Sequence, residues 1–177
     1  RHLKKEGSRW FYNGRKLNIY AAVDFAFSLS KAADYTAIVV VGVDCDSNYY
    51  VLDIDRFKTD KTIEYFKHVA ALHSKWRFQR LSVDEFRPSK AEGTKEERIA
   101  AALEHLYDNL QMWHQEGGWS AVLEEELVLA RPAHDDVKDA LASAVEIAVS
   151  PAKSTGSQIK EFFNQHKTSS RFGGMSY

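Results

Sequence analysis

The run Tyr35-Thr-Ala-Ile-Val-Val-Val-Gly-Val43 limits what this chain can fold into more than any other stretch. It is β-branched at most positions and carries no charge, which marks a strand buried inside a sheet. Its neighbours extend that sheet. Leu17-Asn-Ile-Tyr-Ala-Ala-Val-Asp-Phe25 is a second apolar run of strand length that closes on an acid, Asp24, and a polar loop over 28–33 separates the two. Beyond the turn residues Asp44-Cys-Asp-Ser-Asn48, the segment Tyr49–Phe57 alternates well enough to be an antiparallel partner.

The remainder switches between helical and strand periods. Thr59 or Asp60 can cap a helix whose apolar positions Ile63, Phe66, Val69, Ala70 and Leu72 recur at helical spacing. Residues 78–86 read as a short strand ending on Asp84-Glu85. Thr94-Lys-Glu-Glu97 has the spacing of a capping box, and its helix runs on through Ile99, Leu103 and Leu106. Gln111-Met-Trp-His114 reads as a short edge strand. A helix over 119–129 is stopped by Pro132, and a last one extends from near His134 to around Val149. This order predicts an α/β domain over residues 18–150, with a mixed, mostly five-stranded central sheet flanked by helices. Residues 1–17, with a turn at Asn13-Gly14, read as a leading segment or linker. Residues 151–177, with Lys153, Lys160, Lys167 and Arg171, read as a flexible basic tail.

Composition narrows the function classes. With 44% hydrophobic and 28% charged residues the chain has an ordinary globular balance, and 177 residues suffice for one substantial core. No apolar run approaches the roughly 20 residues that span a bilayer, so no membrane partner is expected. The basic N-terminus has no apolar stretch behind it and is not a signal peptide. Because the first residue is not Met, an excised or processed piece of a longer protein is expected. A single cysteine, Cys45, rules out an internal disulfide and a multi-cysteine zinc site. The net charge of −1 and pI near 6.7 argue against coating nucleic acid by bulk charge, though a carboxylate cluster that holds metal would itself lower the apparent charge.

Acids at strand ends are the candidate chemistry. Two strands close on them, at Asp24 and at Asp84-Glu85, and strand ends are where crevices form in open α/β sheets. A third group, His134-Asp-Asp-Val-Lys-Asp139, opens an otherwise apolar helix. There Val137, Leu141, Ala144, Val145 and Ala148 form the buried stripe, Asp136 lies at its edge, and Asp135 and Asp139 are predicted to point away from it. Asp135 then reads as a helix cap and Asp139 as a solvated charge, which leaves Asp136 as the third site acid. Three converging carboxylates without clustered Cys or His suit a hard cation, Mg²⁺ or Mn²⁺.

These segments resemble a known family. Ile19–Ala26 with Ala33–Ile38, Ser82-Val-Asp-Glu85, Lys95-Glu-Glu-Arg98, and Leu123–Leu127 followed by His134–Leu141 are similar, in order and spacing, to the C-terminal nuclease domain of the large terminase subunit of tailed bacteriophages. The resemblance spans residues 17–149. It implies a ribonuclease H-like fold and a two-metal endonuclease that cuts double-stranded viral DNA during genome packaging. Asp24, Asp84 and Asp136 would be catalytic and hold two Mg²⁺ or Mn²⁺ ions, with Asp135 and Glu85 as candidate further ligands and His134 either assisting a metal or water or serving as a capping or surface residue. Lys95 and Arg98 would contact DNA phosphates. Asp34 also fits the pattern, although turn capping explains it equally well. The family often places Glu at the second strand end, whereas here Asp84 precedes Glu85. Only one of them can face the site, and Asp84 is favoured because Glu85 shares a face with Val83, the natural core residue. No Gly-x-x-x-x-Gly-Lys-Ser/Thr occurs, so the packaging ATPase is expected on a missing domain. The portal protein and small terminase subunit are the implied partners, and the bacterial host cytoplasm the implied setting. Another ribonuclease H-like nuclease, such as a Holliday-junction resolvase or a transposase-type domain, and a non-catalytic portal- or capsid-docking module are the competing readings.

Overall fold

A computed structural model of the chain describes residues 2–26, 35–82, 94–129 and 132–153. In order these form β1 (Leu3–Glu6), β2 (Arg9–Tyr12), β3 (Arg15–Asp24), β4 (Thr36–Val43), β5 (Tyr49–Phe57), α1 (Thr62–Trp76), β6 (Arg80–Ser82), α2 (Lys95–Asp108), β7 (Met112–His114), α3 (Trp119–Val128) and α4 (Asp136–Glu146). The fold is mixed α/β. Among the described residues there is one sheet of seven strands, ordered β1-β2-β3-β4-β5-β7, with β6 parallel to β3. Strand β4 is buried along its whole length, as its composition requires.

Seven strands replace the expected five because residues 3–12 join the sheet. Two-residue turns make this possible. Gly7 has φ +61 between β1 and β2, and Asn13 and Gly14 both have positive φ between β2 and β3, the backbone of a turn whose twist matches its strands. Trp10 stacks on Trp76 with ring centroids 4.7 Å apart and donates its indole N–H to the Trp76 carbonyl. The segment read as a linker is therefore packed on the domain.

Strand alternation splits the core into two layers. Tyr20, Ala22, Val39, Val41 and Ile54 face α2, α3 and α4, whereas Ile19, Ala21, Val23, Ile38 and Val40 face α1 and Phe78. Helix α1 differs from its predicted stripe. Ile63 and Phe66 are 59% and 67% exposed, and Leu72 and Trp76 are the buried residues, with Val69 partly buried behind them. Neither Thr59 nor Asp60 is its N-cap; Lys61 holds that position, and the Thr59 hydroxyl accepts from the Lys61 N–H. Helix α2 has its capping box, formed between Thr94 and Glu97. No described helix is long and apolar enough to cross a membrane.

The β4–β5 turn is organised by Asp44, which is fully buried. Its carboxylate accepts from the backbone of Asp46 and Asn48, from the Asn48 side chain and from the Tyr50 hydroxyl, and it pairs with Arg15. Burial alone would raise its pKa, but these donors outweigh burial and hold it below the ordinary carboxylate value. Its contribution to stability is thus present above about pH 4 and lost as pH falls through the lower folded value. Asp44→Ala should cost about 2–4 kcal/mol in urea unfolding at pH 7, because several buried donors lose their acceptor. The deficit should shrink below pH 4, and a constant deficit would contradict this account.

Candidate metal site

Asp24 lies at the carboxyl end of β3 on the face that α4 covers, since it alternates with Tyr20 and Ala22. Across the sheet Asp24 pairs with Ala37 of β4, and Ala37 pairs with Arg56 of β5. The three form a row with a small residue in its middle, over which the first turn of α4 projects its acids.

Two groups of charges occupy this space. In the first, Lys95 Nζ of α2 is 2.8 Å from Asp139, 3.3 Å from Asp135 and 4.0 Å from Asp24. Arg98 also pairs with Asp139, and reaches Glu146 at 3.2 Å. Burial pushes the Asp24 carboxyl up to about 7, helped by Asp139 and opposed by Lys95, with Asp136 and Asp135 adding smaller repulsions. Burial would lower the Lys95 ammonium, yet Asp139, Asp135 and Asp24 together raise it above its ordinary value. Three carboxylates thus share one ammonium, with the Arg98 guanidinium added on Asp139.

In the second group Arg56 is nearly buried. Its Nη2 lies 3.2 Å from Asp136 and 3.9 Å from Glu126, and its guanidinium sits 3.8 Å from the Tyr35 ring centroid. Asp136 also accepts from the Tyr35 N–H. Glu126 comes from α3 and accepts from the backbone N–H groups of Val137 and Lys138, so it caps α4 from another helix. Burial raises its pKa against these bonds and Arg56, which lower it.

The sequence-predicted residues distribute unevenly over this arrangement. Asp24 is at the strand end as expected. Asp136 is buried as helix geometry required, but its carboxylate is engaged by Arg56 and Tyr35. The expectation for Asp139 is corrected: it is 9% exposed and joined to Lys95 and Arg98, because α2 covers the flank of α4 that had been taken as solvent. Asp135 is at the N-cap position yet makes no side-chain cap bond; it turns to Lys95 instead. His134 meets the Tyr35 ring edge-on, with centroids 5.0 Å apart. Lys95 and Arg98, expected on DNA phosphates, are both turned onto carboxylates. Asp34, Asp84 and Glu85 lie outside the described residues; Ser82, the last described residue before Asp84 and Glu85, pairs with Ala22. Arg56 and Glu126 were missed. A signal for Glu126 existed, since it follows Ser120 and Leu123 at the three-residue spacing of the buried face of α3.

Among the described residues no three His, Cys, Asp or Glu side chains are poised together as a ready metal cage. The acids nearest to that are the three gathered on Lys95, and their donors are all carboxylate oxygens, the set that suits a hard divalent cation. No family model matches the chain, and no curated protein is significantly similar to it.

Proposed function

We propose that this chain is a Mg²⁺- or Mn²⁺-dependent DNA endonuclease domain of the ribonuclease H-like type, acting on double-stranded viral DNA during packaging. The observation that carries the reading is the gathering of Asp24, Asp135 and Asp139, from a strand end and a helix start, around a single ammonium. Crowded carboxylates on rigid elements are what a cation site needs, and burial, with the neighbouring acids, raises the Asp24 pKa there. Asp24, Asp135 and Asp139 would hold the ions, with Asp136 beside them and Asp84 or Glu85 as the acid after β6. When bound, the ions would supply Lewis-acid polarisation of a phosphodiester and activation of a water. Arg56 and Glu126 fix the first turn of α4, and with it the direction of the acids. Lys95, once exchanged for a divalent ion, would be free to meet a phosphate, and Arg98 would follow only by leaving Asp139. The proposed partners are double-stranded DNA, a packaging ATPase domain, a portal protein and a small terminase subunit, in a bacterial host's cytoplasm.

One observation favours a second reading. Lys95 and Arg98 neutralise much of the cluster, so it could simply fasten α2 to α4 in a non-catalytic docking module. Thermal unfolding in EDTA and in millimolar Mn²⁺ separates the two. A bound ion stabilises the fold by mass action, so wild type should gain Tm with Mn²⁺. Lys95→Met should start lower in EDTA, where its acids repel one another, and should gain more than wild type. If neither protein shifts with Mn²⁺ or Mg²⁺, the docking reading stands and the metal site does not.

A further inference from the structure

A groove of about 470 Å³ runs between α2 and α3, on the face of the sheet opposite α1. Its wall is apolar, built by Leu103 and Leu127 with Val128 and Leu129 at the lip, and Val128 is 83% exposed. Its charged lining is predominantly acidic, with Glu104 and Asp108 on α2 and Glu124 on α3 against Lys138 of α4. The wall is braced by His114, which bonds the Tyr107 hydroxyl at 2.8 Å and Glu124 at 3.2 Å. An apolar trough whose charged lining is mostly acidic fits a basic segment that carries apolar anchors at helical spacing.

This chain contains such a segment. Residues 154–177, which lie outside the described part, place Ile159, Phe162, Phe163 and His166 at intervals of three and four, with Lys160, Lys167 and Arg171 among them and Glu161 as the only acid. Where the described chain ends also matters. Lys153 pairs with Asp46 at 2.9 Å in the β4–β5 turn. The same turn leads to Tyr49, whose N–H donates to Gln111 just beyond the α2 end of the groove. Six extended residues, from Lys153 to Ile159, cover about 20 Å.

We infer that residues 154–177 dock in the α2–α3 groove of their own chain, with Ile159, Phe162 and Phe163 on the apolar wall and Lys160 and Lys167 against its acids. The full chain tests this by disulfide trapping in a Cys45→Ser background. Ala100→Cys, which lines the groove, is paired with Asn164→Cys; the control pairs Asn164→Cys with Ser74→Cys on α1, across the sheet. Docking raises the effective concentration of one thiol at the other, so the groove pair should close within the chain at least about tenfold faster than the control. Phe162→Ser with Phe163→Ser, or Glu104→Lys with Asp108→Lys, should bring its rate down towards the control. Equal rates for the two pairs, or a groove rate unchanged by these substitutions, would overturn the inference. So would cross-links formed only between chains, which would assign the groove to a second copy.

Discussion

Asp24→Asn should abolish metal-dependent cleavage of plasmid DNA, lowering the rate by on the order of a hundredfold or more, the loss of a few kcal/mol of transition-state stabilisation. The fold should survive. Asp24 is 30% exposed in its side chain, and no other described acid closes β3. Replacing its charge beside Asp139, Asp136 and Asp135 removes repulsions that now raise its own pKa, so at pH 8 the Tm of the variant should match or exceed that of wild type. The combination is diagnostic, because an acid kept for stability would lose Tm along with activity. Unchanged cleavage by the folded variant would remove Asp24 from the site.

Arg56→Met should have the largest effect on stability. Arg56 faces both Glu126 and Asp136, whose side chains are 3% and 4% exposed. Deleting it removes the guanidinium from two buried carboxylates, leaving Glu126 its backbone donors and Asp136 the Tyr35 N–H, and breaking a buried pair costs about 3–5 kcal/mol. In a chain of this size that lowers Tm by on the order of 10 °C. Adding Asp136→Asn should restore part of the loss, since the two residues share one interaction. Glu126→Ala should also destabilise, by uncapping Val137 and Lys138. A loss below about 1 kcal/mol for Arg56→Met would mean that the Glu126 cap and packing hold the first turn of α4 without Arg56.

From β3 onward the elements follow the order read from the sequence, because β4 is unmistakably interior and the capping box of α2 is local chemistry. What could not be read depends on partners distant in sequence. Ile63 and Phe66 are apolar at helical spacing, yet α1 buries the phase that contains Leu72 and Trp76. Trp10 packs on Trp76 from a segment whose hairpin signal at Asn13-Gly14 was visible, but whose strands are only four residues long and, in β1, mostly charged. The site follows the same rule. Asp24 was legible as the lone acid closing an apolar strand. The burial of Asp136 followed from the periodicity of α4, but its bond to Arg56 did not. Asp139 was misjudged because helical periodicity assumes one buried face, and α4 has α2 against a second flank that brings Lys95 and Arg98.

The most direct test incubates supercoiled plasmid with the purified chain in Mn²⁺, in Mg²⁺ and in EDTA, with Asp24→Asn alongside. The account expects nicked and linear products from wild type with either metal, none in EDTA and almost none from the variant. Intact plasmid at every metal concentration, from a chain whose unfolding shows it to be folded, would contradict it.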